Sequence, residues 1–240
     1  MSLPEIDISK ELVRIKNLGF IKTKRMGNTG VGHTLENNLG IKENNEGEPD
    51  FTLNGEPVEL KAQREQTSSN ITLFTLEPPR KTKGKFKDIN LLKQYGYLDE
   101  DGRKNLYITM KLNEFNAQGF GLAIDKDNLK IVHNVQGVIW IYPLTYLLSK
   151  VRLKLSHKVL LVTAKCKIIE GKEFFLYDNA NLFWGISDKG FLELIKQGDL
   201  VVEFRMHIKG NGTTARNHGT PFRLNSRNMD KLFSNKRKIL

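Results

Sequence analysis

Two carboxylates and one ammonium, Asp50, Glu59 and Lys61, lie within the stretch PDFTLNGEPVELK at residues 49–61. On one face they could hold a divalent cation and ready a water for attack. Mg²⁺ favours oxygen ligands, keeps several waters, and is usually bound by one or two carboxylates plus a substrate phosphate. An adjacent Lys can orient or deprotonate the attacking water. The intervening sequence predicts that the three side chains do share a face. Asn54-Gly55 is the dipeptide best suited to a two-residue type I′ turn, whose central residues both need positive φ. With Leu53 and Glu56 as the first pair, Thr52 faces Pro57, Phe51 faces Val58, and Asp50 faces Glu59. Lys61, two residues beyond Glu59, points to the same side. Pro57 is tolerated because its pair with Thr52 is a non-hydrogen-bonded one. Opposed carboxylates with Cβ atoms roughly 4.5–5.5 Å apart repel each other and weaken a bare hairpin. A cation compensates naturally, although an ordinary surface hairpin with aligned charges would carry the same residues.

The elements around this hairpin follow from periodicity. SKELVRIKNLGF places Leu12, Val13, Ile15, Leu18 and Phe20 in a helical stripe, opened by Ser9 as N-cap and closed near Gly19. GNTGVGHTLENNLGI then reads as a glycine-bearing turn and a short helix with Leu35 and Leu39 inward and Glu36 beside them. It lacks the GK[ST] of a P-loop. SNITLFTL is a strand by its β-branched and aromatic content. In PPRKTKGKFKD, the cations Arg80, Lys81, Lys83, Lys85 and Lys87 form a loop of phosphate-contact character, or else a solvated charge run. From Leu106 the runs LYITMKL, GFGLAID, LKIVHNV and GVIWIY predict an antiparallel meander. A helix over 144–152, strands KVLLVTAKCKI and EFFLYDNANLFW, a helix near SDKGFLELIKQ and a strand LVVEFRMHI follow. GNGTTARNHGT reads as a glycine-rich loop, and SRNMDKLFSNK as a closing helix.

Composition narrows the partners. The 240 residues are 39% hydrophobic, enough for one large domain or two coupled lobes, and 38 Lys and Arg against 27 Asp and Glu give a formal charge of +11. Such an excess suits a polyanion, because clustered cations release counterions from nucleic acid. There is no strongly amphipathic basic helix, no apolar run near the roughly 20 residues of a membrane span, and no signal-peptide core at the N-terminus. A single cysteine, Cys166, excludes an intramolecular disulfide and a Cys-rich zinc site. A soluble cytoplasmic protein is expected.

Glu36, Asp50 and Glu59-Leu60-Lys61 together read E…PD…ExK, which resembles the PD-(D/E)xK nuclease signature. GNTGVGHTLENNLGI, PDF, ELK and SNITLFTLEP occur in the same order as in the MvaI/BcnI-like type II restriction endonucleases, relatives of the mismatch-repair nicking enzyme MutH. ANLFW, LVVEFRMHIKG and RNHGTPFRLN resemble that family's recognition segments, so the likeness covers nearly the whole chain. It implies a mixed α+β (α/β) fold: a PD-(D/E)xK core with a mixed sheet flanked by helices, and two lobes forming a DNA-binding cleft. Residues 1–90 would be the catalytic lobe and 91–240 mainly the recognition lobe, with segments returning to the core.

The resemblance makes Asp50 and Glu59 ligands of Mg²⁺, Lys61 the residue that positions the water, and Glu36 an auxiliary acid. It places DNA reading at Glu203, Arg205, Arg216, His218 and Arg223. Those types suit the task, since Arg reads guanine bidentately, His can do so with one bond, and an acid accepts from cytosine N4. Loop hydrogen bonding by His218 and structural ion pairing by Arg205 and Arg223 are the plainer roles for the same residues. The family typically carries a His where this chain has Arg216, a departure that leaves its CC-N-GG type of site open for this chain and the implied cleavage untouched. The implied activity is Mg²⁺-dependent cleavage of double-stranded DNA at a short, near-palindromic site by a monomer, with a companion DNA methyltransferase encoded nearby. A MutH-like nicking enzyme and a catalytically silent DNA-binding protein are the alternatives.

Overall fold

The computed structural model describes residues 3–42, 48–79, 82, 86–210 and 212–240. In chain order they form α1 (Ile8–Asn17), β1 (Ile21–Lys22), α2 (Gly30–Leu39), β2 (Phe51–Leu53), β3 (Glu56–Arg64), β4 (Ile71–Thr75), α3 (Asp88–Tyr95), β5 (Tyr97–Leu98), β6 (Lys104–Met110) and β7 (Phe120–Ile124). There follow β8 (Asn128–His133), β9 (Gly137–Pro143), α4 (Leu144–Lys154), β10 (Lys158–Ile169), β11 (Lys172–Ile186), α5 (Asp188–Lys196), β12 (Leu200–Ile208), β13 (Ala215–Asn217), β14 (Pro221–Leu224), α6 (Met229–Leu232) and β15 (Phe233–Lys238). The fold is mixed α+β. Two compact units share the chain: residues 1–71, 155–187 and 233–240 form the first, and 72–154 and 188–232 the second. The first change of unit falls at Ile71/Thr72, where β4 joins β14 in the sheet of the second unit.

In the first unit a mixed sheet runs β1-β11-β10-β3-β2, with β15 on β11. β3 and β10 are parallel, and the remaining pairs are antiparallel. Alternation puts Val58, Leu60, Leu160, Val162, Ala180 and Leu182 on one face, where they pack with Ile8, Leu12 and Ile15 of α1 and Val31 and Leu35 of α2. The opposite face carries Glu59 and Lys61. Asp7 caps α1 by accepting from Lys10 N–H at 3.3 Å, the role expected of Ser9, which lies inside the helix. Gly30 begins α2 where a Cβ would sit 2.3 Å from the Arg25 carbonyl oxygen, so only glycine fits. The Tyr177 hydroxyl donates to Val31 O at 2.7 Å and ties α2 to β11.

The second unit holds a sheet ordered β4-β14-β12-β6-β5, with β13 on β12, and a separate antiparallel sheet β7-β8-β9. The expected meander is thus three strands. Its supposed first strand, β6, pairs instead with β12 and β5, because Leu106, Ile108 and Met110 meet Met206, Phe204 and Val202 in a shared apolar layer. Phe74 stacks on Phe222 at 4.9 Å, and Phe204 meets Trp140 at 4.8 Å. A short strand, β13, interrupts the glycine-rich loop expected at 210–220. The expected closing helix shrinks to a 3-10 turn and four residues of α6. After it, residues 233–238 pair with β11, which satisfies their backbone groups as a strand does. Arg80, Lys81, Lys83 and Lys85 lie outside the described residues. No helix among those described is long and apolar enough to cross a membrane.

Candidate active site and candidate nucleic-acid interface

The hairpin forms in the expected register, Leu53 with Glu56, Thr52 with Pro57 and Phe51 with Val58. Asn54 and Gly55 take φ of 53° and 76°, the positive values a type I′ turn demands. Glu5 fastens the turn by accepting from Asn54 N–H at 2.6 Å and from the Thr52 hydroxyl at 2.6 Å. The ladder stops one pair short of expectation. Asp50 makes no cross-strand pair with Glu59. Its N–H donates to Val58 O at 3.0 Å and its side-chain Oδ2 accepts from Leu60 N–H at 2.6 Å, giving that N–H an acceptor where β2 has ended.

Asp50 still feels Glu59. Burial, then the Glu59 charge and a smaller push from Glu36, raise the Asp50 carboxyl to about 6 against the opposing Leu60 N–H and Lys61. Glu36 reaches this neighbourhood from α2, half-buried between the inward Leu35 and the exposed Asn37. Lys61 Nζ donates to Glu59 Oε1, both side chains about one-quarter exposed. The four residues expected to act together thus converge at one end of the β2-β3 hairpin. His33, one turn before Glu36, contacts Asn37 Nδ2 through Nε2 at 3.4 Å.

A further residue was not visible in the sequence. His157 immediately precedes β10, whose Lys158, Val159 and Leu161 lie in parallel register with Val58, Glu59 and Lys61. Burial draws its pKa down, with Glu59 raising it and Lys61 lowering it. Only the pairing of β3 with a strand about a hundred residues later brings it there, so no local motif signals it. Arg64, also outside the motif, forks onto Glu173 (Nε–Oε1 2.9 Å, NH2–Oε2 2.7 Å) and reaches Gly27 O at 3.0 Å, bracing the turn ahead of α2.

Two mutually repelling carboxylates, both half-buried, fit a small divalent cation that keeps water and phosphate oxygens in its remaining positions. Among the described residues no group of three or more His, Cys, Asp and Glu gathers to hold a metal unaided. That donor set suits an ion completed by a phosphate substrate.

In the second unit the polar face of β12 gathers the expected readers. Glu203, Arg205 and His207 alternate with buried Val202, Phe204 and Met206. Arg223 pairs with Val201 and Arg216 with His207, which puts both on this face. Glu203, 4% exposed, accepts from Arg205 Nε at 2.7 Å and from Arg223 NH1 at 3.0 and 3.2 Å. Arg205 also lies over the Tyr107 ring at 5.7 Å. Glu203 is therefore occupied in orienting two guanidinium groups. His218 Nε2 contacts His207 Nδ1 at 3.3 Å, and its N–H donates to Arg205 O at 2.9 Å. Burial, then neighbouring arginines, draw both imidazoles below their ordinary range. His207 and Tyr107 belong to the face although the sequence did not single them out; alternation with Arg205 and Glu203 was the signal for His207, whereas Tyr107 arrives only through the pairing of β6 with β12 opposite Arg205. Lys83 and Lys85, expected to contact phosphate, lie outside the described residues.

Comparison with curated proteins finds no match. Among solved structures, the chain is similar to the restriction endonuclease MvaI in complex with cognate DNA, at 25% identity and TM-score 0.78 over 97% of each chain. It is also similar to MvaI in the absence of DNA, at 24% identity and TM-score 0.52, covering 97% of this chain and 96% of that one. The MvaI/BcnI restriction endonuclease family profile matches residues 9–233. The chain belongs to the MvaI/BcnI restriction endonuclease family.

Proposed function

We propose that this protein is a type II restriction endonuclease that hydrolyses double-stranded DNA at a short, near-palindromic site, with Mg²⁺ as its metal. The observation that carries the reading is the convergence of Asp50, Glu59, Lys61 and Glu36 on one hairpin end in a chain of this family. Asp50 and Glu59 would hold the ion, which when bound lowers the pKa of a coordinated water and stabilises charge on the leaving oxygen. Lys61, fixed by Glu59, would orient the attacking water through its ammonium. Glu36 adds negative charge behind Asp50 and strengthens its demand for a cation. Leu60 N–H holds the Asp50 carboxylate in one orientation.

In the second unit, Arg223 and Arg205 would read guanine O6 and N7, their forks aimed by Glu203, with Arg216 and His218 adding donors from the adjoining strand and loop. We assign catalysis to the first unit and recognition to the second. The enzyme acts as a monomer and works beside a DNA methyltransferase that protects the host's own sites. Incubation with plasmid DNA and Mg²⁺, followed by sequencing of the cut ends, tests the reading. Defined fragments with a common end sequence are expected. Intact plasmid at stoichiometric enzyme would overturn the catalytic role, and random ends would overturn the assignment of sequence specificity.

A further inference from the structure

A second set of charges lies on the hairpin formed by β10 and β11, beyond the candidate active site. Residues 159, 161, 163, 165, 167 and 169 of β10 share one face by alternation. Val159 and Leu161 lie in register with Glu59 and Lys61, so this is the face of the candidate catalytic residues. At the register shift beside Thr163/Ala164 the extra residue, Asp178, belongs to β11, so β10 keeps its alternation. Ile169 pairs with Lys172, and Lys167 pairs with Phe174, which pairs in turn with Lys22. Cross-strand partners point the same way. Lys22, Lys165, Lys167 and Lys172 therefore form one basic face, all four exposed.

Lys165 is paired with Asp178 at 2.6 Å, and Lys167 lies over the Phe20 ring at 4.0 Å. Among the described residues no carboxylate pairs with Lys22, Lys167 or Lys172. Lys22 and Lys172 stand close enough to interact directly, and the Lys172 charge draws the Lys22 ammonium below its ordinary pKa. Like charges held side by side weaken a sheet unless an opposite charge joins them. Just as the carboxylate pair asks for a cation, this pair asks for an anion. Its place defines which one: Lys167 and Ile169, the strand positions level with Lys22 and Lys172, follow Leu161 by six and eight residues, about 20–26 Å along a strand that rises about 3.3 Å per residue.

We infer that the face formed by Lys22, Lys167 and Lys172 grips the phosphate backbone of duplex DNA outside the recognition sequence, about six to eight base pairs from the cut at about 3.4 Å per pair. The inference rests on the endonuclease reading. Such contacts supply affinity and register without sequence information.

The test compares the full chain with the triple variant Lys22→Gln, Lys167→Gln, Lys172→Gln and with the corresponding triple Lys→Arg variant. Affinity for a random-sequence 40-base-pair duplex is measured without metal from low to moderate salt. Each phosphate contact adds about 0.9 to the slope of log affinity against log salt, so the Gln variant should be shallower by about 2–3. The Arg variant should keep the native slope. Single-turnover cleavage at saturating enzyme should match the native rate in both variants, since none of the three residues belongs to the candidate active site. An unchanged slope in the Gln variant, while the native chain binds and cuts, overturns the inference alone. A loss of slope equal in both variants also overturns it, because that loss reflects disturbed structure and not lost charge. A native chain that binds duplex but cuts none leaves the phosphate grip standing and removes the catalytic reading. A native chain that binds no duplex at low salt overturns both.

Discussion

Asp50 combines two properties that pull apart: burial favours its neutral form, whereas a cation site needs the anion. With the carboxyl raised to about 6, the folded protein binds this proton more tightly than the unfolded chain does. Stability from this group is therefore fully present only below about pH 4 and is lost as pH rises from there through about 6, by up to about 3 kcal/mol at about 1.4 kcal/mol per pKa unit. Thermal unfolding without metal should thus show a drop in melting temperature between pH 4 and pH 7. Asp50→Asn should flatten it, and Mg²⁺ should raise the native melting temperature at pH 8 but not that of the variant. Asp50→Ala and Lys61→Ala should both abolish cleavage while leaving duplex binding, because they act on the transition state and affinity comes from phosphate and base contacts. Near-normal cleavage by either variant in Mg²⁺, read on a plasmid gel, would remove that residue from the active site.

The polar face of β12 behaves as one element. Its apolar side fixes the strand through Val202, Phe204 and Met206, so the Glu203 cluster projects from a rigid base. Removing Glu203 leaves Arg223 without its buried acid. Glu203→Ala should cost about 2–3 kcal/mol in denaturant unfolding, less than the roughly 3–5 of a fully buried pair because Arg205 is partly exposed. Arg223→Ala or His218→Ala should relax or abolish site choice, at about 1–3 kcal/mol of discrimination for each good base contact. Sequencing of plasmid ends checks this directly, and an unchanged cleavage pattern in both variants would assign reading to some other element.

At the scale of the whole molecule, one chain carries one hairpin of candidate metal ligands and one set of candidate base readers. A homodimer would present two metal sites related by two-fold symmetry and could cut both strands in one encounter. A monomer with a single site must cut them in sequence, reorienting or rebinding between steps. Nicked circular plasmid should accumulate before linear product, and gel filtration should give a mass near 27.5 kDa. A dimer on gel filtration that converts supercoiled plasmid directly to the linear form at low enzyme would replace this scheme.

The β2-β3 hairpin was legible because its information is local. Asn54-Gly55 fixes the turn, the turn fixes the register, and the strand period fixes which of Glu59, Leu60 and Lys61 faces out. Of the proposed readers, Glu203 and Arg205 shared one strongly patterned strand, whereas Arg216, His218 and Arg223 were singled out through the family resemblance. Pairings across long stretches of chain were not legible, because many strands of similar apolar pattern could partner β3, β6 or β11 equally well from sequence. Packing decided that β10 lies beside β3, bringing His157 to Glu59, and that β6 leaves the meander for β12. It also turned an expected terminal helix into β15, and gathered Lys22 from the N-terminal part of the chain beside Lys172. Chemistry confined to a turn and one strand period is written in neighbouring residues, whereas side chains from distant segments meet only once burial of the apolar faces has chosen the strand order.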